Sequence, residues 1–290
     1  MMRRVWIASY MKSGSTWFRI LLANLLSGKD VPVNINKLPA GHIASSRADF
    51  SRETLIDSGL LTHDEVDRLR PLVYEALART APRDDTVPSF AKVHDAYDQL
   101  PGGEPLLAGA RGADGAIVIV RDPRDVVVSL ARHLDITVDE AVTLMNDDDM
   151  ALAAKTDRQP PQLRQKFHSW SSHVESWLGQ RDIAVHVLRY EDLHRDTAAT
   201  FRSALAFCGM TPSEAGLARA VSLSAFDRVK AQEAATGFAE SPGHLTAHGG
   251  FFHRGEAGGW RRHLSPGQVA RLERAHAATM HKLGYGLSQT

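Results

Sequence analysis

Lys12-Ser13-Gly14-Ser15-Thr16 is the most chemically loaded stretch of this 290-residue sequence. An ammonium, three hydroxyls and a glycine, placed where a helix begins, suit a tetrahedral oxyanion such as phosphate. Three more polar sets follow short apolar runs: His94-Asp95, Arg121-Asp122 with Arg124, and Arg189-Tyr190, and Lys92 lies two residues before His94 on the same strand face. Arginine offers phosphate a planar fork of donors. Histidine, with a reference pKa near 6.5, can accept a proton at neutral pH. Together the four sets suggest anion binding joined to proton transfer. The run Asp147-Asp148-Asp149 suggests a metal at first sight. Consecutive side chains cannot all face one ion, however, and no companion ligands are spaced around them, so a solvated loop is expected.

The elements that must position these groups can be read from periodicity. Val5 to Ala8 is a short apolar run typical of a strand buried on both faces, and Trp17, Phe18, Ile20, Leu21, Leu22 and Leu25 then recur at helical spacing. The polar loop is therefore a strand-to-helix turn, with the helix N–H groups and positive dipole end pointing at whatever lies above the strand. Ser89 to Val93, Ala116 to Val120 and Ile183 to Leu188 read as further strands. Thr62-x-x-Glu65, Asp122-Pro123, Thr137-x-x-Glu140 and Ser265-Pro266 mark helix starts. The first of these helices runs to Arg79, carries Val66, Leu69, Leu72, Val73, Ala76 and Leu77 on one face and is closed by Pro82; the last carries Val269, Leu272, Ala275 and Leu283. A strongly amphipathic helix is expected from Leu163 through Phe167, Trp170, Val174 and Trp177, with short helices at Phe201 to Phe207 and Ser213 to Val221. Residues 30–60, with Pro32, Pro39 and Gly41, read as an irregular excursion, residues 145–162, with the Gln159-Pro160-Pro161 turn, as a mobile segment, and Thr236 to Gly259, with seven glycines, as a long loop.

Strands alternating with helices imply an α/β fold with a mostly parallel central sheet flanked by helices, read as one domain over residues 1–290. In such sheets ligands bind beyond the carboxyl ends of the strands, where all four polar sets fall. Each set also has a plainer reading. Lys and Ser occur in strand-to-helix turns that bind nothing, Arg-Asp-Pro-Arg-Asp is also an N-capped helix with an ion pair, and a histidine ending a buried strand can be a hydrogen-bonded filler. The 34 basic and 34 acidic side chains cancel, so no global field recruits nucleic acid or an acidic membrane surface. The single cysteine, Cys208, fits a small core residue in a reducing compartment. No long apolar segment precedes the first strand, so a cytoplasmic protein without signal peptide or membrane span is expected.

The sequence Tyr10-Met11-Lys12-Ser13-Gly14-Ser15-Thr16-Trp17 lacks the G-x-x-x-x-G-K-[ST] spacing of nucleotide triphosphatases. It resembles instead the Y-P-K-S-G-T-T-W loop of the PAPS-dependent, cytosolic-type sulfotransferases, with Met11 and Ser15 as departures. Residues 117–130 resemble the family's strand followed by R-[ND]-P-x-D-x-x-x-S, Lys92-Val93-His94 its K-T-H element, Tyr190-Glu191-Asp192 its Y-E-D turn, and Ser224-Ala225-Phe226 its T-S-F element. Residues 253–261 are similar to R-K-G-x-x-G-D-W-K, with His253 in place of the arginine.

The resemblance implies a P-loop-like fold and a small-molecule enzyme of the bacterial kind. Such an enzyme moves a sulfuryl group from 3′-phosphoadenosine 5′-phosphosulfate (PAPS) to a hydroxyl, less readily an amine, and releases 3′-phosphoadenosine 5′-phosphate (PAP) without a metal. It implies further that Lys12 to Thr16 hold the 5′-phosphosulfate and that Arg121 and Ser129 hold the 3′-phosphate. Trp17, Tyr190, Ser224 and Phe226 would line the adenine, with Arg254 and Gly255 in a covering segment. His94 would be the general base, Lys12 would stabilise charge on the bridging oxygen and Lys92 would assist at the sulfuryl oxygens; Asp95 is the next candidate base. Two rival readings are an ATP-dependent P-loop kinase or NTPase, and a nucleotide-binding protein without catalysis, which has no need of His94.

Overall fold

The apolar run ahead of the first polar loop becomes the centre of a sheet. The computed structural model describes residues 2–38, 43–81, 87–155, 157 and 160–288. In chain order the elements are β1 (Arg4–Ser9), α1 (Ser15–Ser27), α2 (Arg47–Thr54), α3 (His63–Thr80), β2 (Ser89–Val93), β3 (Gly115–Val120), α4 (Pro123–Leu134) and α5 (Val138–Met145). They continue with β4 (Ala151–Leu152), β5 (Gln165–Lys166), α6 (Trp170–Gly179), β6 (Ala184–Arg189), α7 (Tyr190–Arg195), α8 (Thr197–Phe207), α9 (Glu214–Leu223), α10 (Phe226–Thr236) and α11 (Pro266–Lys282). The main sheet has the order β2-β1-β3-β6, every neighbouring pair parallel, while β4 and β5 form a small antiparallel pair. Because β1 lies between β2 and β3, the loop after it is flanked by the turns that carry His94 and Arg121. All four polar sets thus open at one edge, and the chain forms a single α/β domain.

Alternation along the strands separates two cores. Trp6, Ala8, Val118 and Val120 pack with Trp170, Val174 and Trp177 of α6 and with Leu272 of α11. Val5, Ile7, Ile117 and Ile119 pack on the opposite face with Phe18, Leu21 and Leu22 of α1 and with Phe201 and Leu205 of α8. Full burial of one large apolar side chain contributes about 1.5–3 kcal/mol, so a sheet covered on both faces is a rigid base for its loops. The capping boxes at Thr62 and Thr137 and the Asp122 cap with Pro123 form at the expected positions, and Gly28 ends α1 in the left-handed conformation. Cys208 is buried and free, its thiol pushed up to about 12 by burial.

Several expectations are corrected. Residues 30–60 contain α2, capped by Ser46; it buries only Asp49 and Phe50, so no apolar stripe announces it. Helix α10 carries no apolar stripe in the sequence either, and it buries Val229 alone. The helix expected from Leu163 starts at Trp170, because residues 165–166 pair as a strand with 151–152 and His168 takes φ +57. The same pairing, together with Phe167 and His168 N–H bonds to the Met150 carbonyl, gives much of 145–162 a defined structure. Leu72 is 57% exposed rather than on the buried face of α3, and Ala275 faces solvent on α11. Pro39, Gly41, Pro82 and Gln159 lie outside the described residues.

One buried ion pair fixes the turn that follows β2. Arg70 of α3 makes two bonds to Asp95, of 3.0 and 2.7 Å, and both side chains are essentially inaccessible. The same arginine reaches Tyr74 and the Arg164 carbonyl, while Asp95 also accepts the Lys166 N–H. The Asp95 carboxylate is therefore locked into the core side of the turn and is no alternative base. Removing one partner of a buried pair strands the other charge and typically costs about 3–5 kcal/mol. Asp95→Ala should lose that much stability in chemical denaturation; a loss below about 1 kcal/mol, within the range of ordinary surface substitutions, would show that the pair does not hold the turn.

Candidate functional site

The first loop is held in an unusual backbone shape. Lys12 takes φ +68, a left-handed conformation uncommon for a residue with a Cβ and one that tends to persist at functional loops. Gly14 follows at φ +106 as the N-cap of α1, and a Cβ there would lie 2.5 Å from the Tyr190 ring. Only glycine fits, so the ring of α7 closes directly over the start of α1. Ser15 and Thr16 occupy the first helical turn, where backbone N–H groups have no partner within the helix. The buried Ser13 hydroxyl has no hydrogen-bond partner in the structure.

Around this loop lies a cavity of about 900 Å³, bounded by Lys12, Lys92, His94, Arg121, Ser129 and Tyr190 among others. The Arg121 guanidinium is 4.4 Å from the Tyr190 ring and donates to the carbonyls of Lys12 (3.3 Å) and Glu256 (2.8 Å). It thereby ties three sequence-distant loops to one point. Trp17 donates its indole N–H to the Ser224 carbonyl at 3.0 Å and sits edge-on to Tyr190 at 5.8 Å. Phe226 packs against Gly255, where a Cβ would come within 2.3 Å of the ring. Asp125 accepts the N–H groups of Gly258 and Trp260, which anchors the segment carrying His253, Arg254 and Gly255 to α4. These residues all line the cavity or hold its wall.

Ser13, Ser224 and Arg124 do not line it. Ser224 is fully buried, accepting from Asn24 and donating to the Ala220 carbonyl, so only its backbone serves Trp17. Arg124 is buried between Asp122 and Glu273 and lies over the Trp260 ring. Sequence reasoning missed Arg19, Arg132, His133, Glu240 and Phe251. Arg19 was legible in principle as the one charge in the apolar face of α1; the others lie in stretches without a motif.

His94 is prepared to accept a proton. Its Nδ1 lies 2.8 Å from the Ser9 carbonyl, an acceptor only, so Nδ1 carries the hydrogen and Nε2 keeps its lone pair. Phe167 stacks on the ring, and burial, reinforced by Lys92, holds its pKa well below the usual histidine value. Burial also pulls Lys12 down to about 7, with Lys92, Arg121 and Arg132 adding repulsion. Lys92 is lowered by burial as well, partly offset by Glu240. Positive groups are crowded here on one cavity wall. Such a site gains most from an anion. Among the described residues no group of three or more His, Cys, Asp or Glu side chains is placed to hold a metal, and no helix is long and apolar enough to cross a membrane.

Comparison with known proteins accords with this geometry. The family model described as the sulfotransferase domain matches residues 2–284. Rat sulfotransferase 2B1 is 28% identical over 177 residues, covering 58% of this chain and 48% of that protein. Luciferin sulfotransferase of Photinus pyralis is 26% identical over 225 residues, covering 77% of this chain and 56% of that protein. The chain thus spans about half the length of the curated relatives it matches. Among solved structures, mouse sulfotransferase SULT7A1 complexed with PAP superposes with a TM-score of 0.57 at 19% identity, covering 96% of this chain and 84% of that one. Retinol dehydratase in complex with androsterone and inactive cofactor PAP gives 0.58 at 18% identity, covering 96% and 80%. These structures share the fold.

The lowered pKa of His94 can be checked directly. Among the 14 histidine ring signals in NMR titrations, the one lost in His94→Gln should titrate below the ordinary range near 6.5. His168, raised to about 9 chiefly by its hydrogen bond to Asp98, should titrate above it. A His94 signal titrating at 6.5 or higher would contradict the geometry.

Proposed function

The chain belongs to the sulfotransferase domain family, and we propose that it transfers a sulfuryl group from PAPS to a hydroxyl of a small-molecule acceptor by in-line displacement, releasing PAP. The observation that carries this reading is the crowding of Lys12, Lys92 and Arg121 around a neutral His94, with Lys12 brought down to about 7. A doubly phosphorylated nucleotide supplies the missing negative charge at both ends. The loop Lys12 to Thr16, with the orphaned Ser13 hydroxyl behind it, would seat the 5′-phosphate on the N-terminus of α1. Arg121, Ser129 and Arg254 would face the 3′-phosphate, and Trp17, Tyr190 and Phe226 would enclose the base. In this reading the seats follow the strand order, from acceptor at β2 to adenine at β6.

His94 Nε2 takes the proton of the acceptor hydroxyl as its oxygen bonds to sulfur. The bond from sulfur to the 5′-phosphate oxygen breaks, its electron pair stays on that oxygen, and the Lys12 ammonium stabilises the charge that develops there. Lys92, on the same strand face as His94, orients the sulfuryl oxygens. Ile43, Leu152, Phe167 and Phe251 give the acceptor side an apolar wall, with Gln162 and Gln165 as polar points, which favours an acceptor with a largely apolar body. Residues 1–290 act as one catalytic domain. The buried free Cys208 and the balanced charge support a cytoplasmic place for it, without nucleic-acid or membrane partners.

Incubation with PAPS and a panel of hydroxylated compounds should yield products heavier by one sulfuryl group. His94→Ala should lower kcat by roughly 10²- to 10⁴-fold, the usual worth of a general base, while PAP binding and melting temperature stay close to wild type. Near-normal kcat in that variant would remove His94 from the mechanism, and unchanged binding without any turnover by wild type would favour a non-catalytic nucleotide-binding protein.

Arg121→Ala should weaken PAP binding by about ten- to a hundredfold, the loss of a charged hydrogen-bond partner of roughly 1.5–3 kcal/mol. Direct titration tests this; wild-type affinity in the variant would withdraw the 3′-phosphate role. ATP should bind more weakly than PAP in the same assay, since the chain has no triphosphate cradle.

A further inference from the structure

Arg19 is a charge in the middle of an apolar helix, and its side chain is 1% exposed. Its Nη1 bonds both carboxylate oxygens of Glu240, at 2.7 and 3.0 Å. The oxygen at 3.0 Å from Arg19 also accepts from Lys92 Nζ, at 3.0 Å. One carboxylate at the cavity wall thus serves two cations on two elements, Arg19 buried in α1 and Lys92 on β2. Its position is built: Asn36 accepts the Ala239 N–H at 2.6 Å and donates to the Gly237 carbonyl, while Phe238 is buried beside Phe251 and Phe252. Burial pushes Glu240 up, but Lys92 and Arg19 outweigh it and leave the carboxyl below its ordinary value.

Glu240 thus holds the ammonium that the proposed function assigns to the sulfuryl oxygens. Two anions on one ammonium repel each other at close range. We propose that Glu240 is the resident counter-anion of Lys92, retained by Arg19 and displaced from Lys92 only by a ligand carrying the sulfuryl group, so that it sets the preference between PAPS and PAP. The inference rests on the proposed function. PAP ends at the 5′-phosphate seat on Lys12 and leaves the Lys92–Glu240 pair in place; PAPS must open that pair. After transfer the sulfated product competes with Glu240 for Lys92, and the carboxylate's return favours product release.

The test is calorimetric titration of PAP and of PAPS, without acceptor, into wild type, Glu240→Gln, Lys92→Met and the double variant. Glu240→Gln keeps the shape and removes the charge. It should tighten PAPS by about tenfold, the scale of one charged interaction, and leave PAP within about twofold. In the Lys92→Met background the gain should vanish, which a merely structural role of Glu240 would not produce. If Glu240→Gln melts early, Glu240→Asp, too short to reach Lys92 while paired with Arg19, should show the same selective gain. Equal shifts for PAP and PAPS, weaker PAPS binding, or a gain that persists with Lys92→Met would overturn the inference and leave the function standing. A wild type that binds neither ligand would remove the proposed function and this inference with it.

Discussion

Positive charge gathered on the wall of one cavity is the constraint on which the rest of this structure turns. Lys12, Lys92, Arg121 and Arg132 approach one another closely enough that Lys12 falls to about 7, burial being the larger cause and mutual repulsion the smaller. An isolated chain segment would relax such crowding by moving apart. Here the fold forbids it, because β1 is fixed between β2 and β3 in a sheet covered on both faces. Binding energy for an anion is therefore prepared during folding rather than at the moment of encounter.

The supports of the site lie at or just behind its wall. Arg70 and Asp95 hold the turn that aims His94, and Asp125 holds the backbone of the segment that carries Arg254. Glu191 accepts the Asp122 N–H and the Tyr285 hydroxyl, linking the ends of β3 and β6 to the residues that follow α11. These are carboxylates on backbone N–H groups or on a buried arginine. Satisfied in that way, a buried charge orients its surroundings without offering itself for chemistry. The site and its frame thus use the same residue types, and partner identity separates them.

That distinction explains what was legible in the sequence. The strands, the capping boxes and the parallel sheet could be read because apolar spacing and helix caps are local, and the four polar sets at one edge followed from them. Helices α2 and α10 could not, because each buries a single large apolar side chain and leaves no stripe. Asp95 and Arg124 looked available for catalysis or phosphate binding; Asp95 is consumed by Arg70, 25 residues away, and Arg124 by its neighbour Asp122 together with the distant Glu273. Ser224 matched a motif whose side chain turns into the core. Glu240 and Phe251, by contrast, enter the cavity from a glycine-rich loop with no periodic signal, delivered by Asn36 and by Glu233, which accepts the Phe251 and Phe252 N–H groups. Long-range pairing of this kind leaves no local trace.

The central claim is that the cluster of positive groups with Lys12 at its middle is what the donor nucleotide meets. Lys12 in the empty site, at about 7, is mostly neutral at pH 8. The phosphates of PAP are already fully ionised at that pH, their second pKa being near 6, and a bound dianion favours the charged lysine and raises its pKa. Binding must therefore draw protons from solution, and affinity must fall as pH rises above 7. The direct measurement is calorimetric titration of PAP at pH 8 in buffers of different ionisation enthalpy. The account predicts net proton uptake, carried by Lys12 and lost in Lys12→Met; binding with no proton exchange, or with proton release, would contradict it.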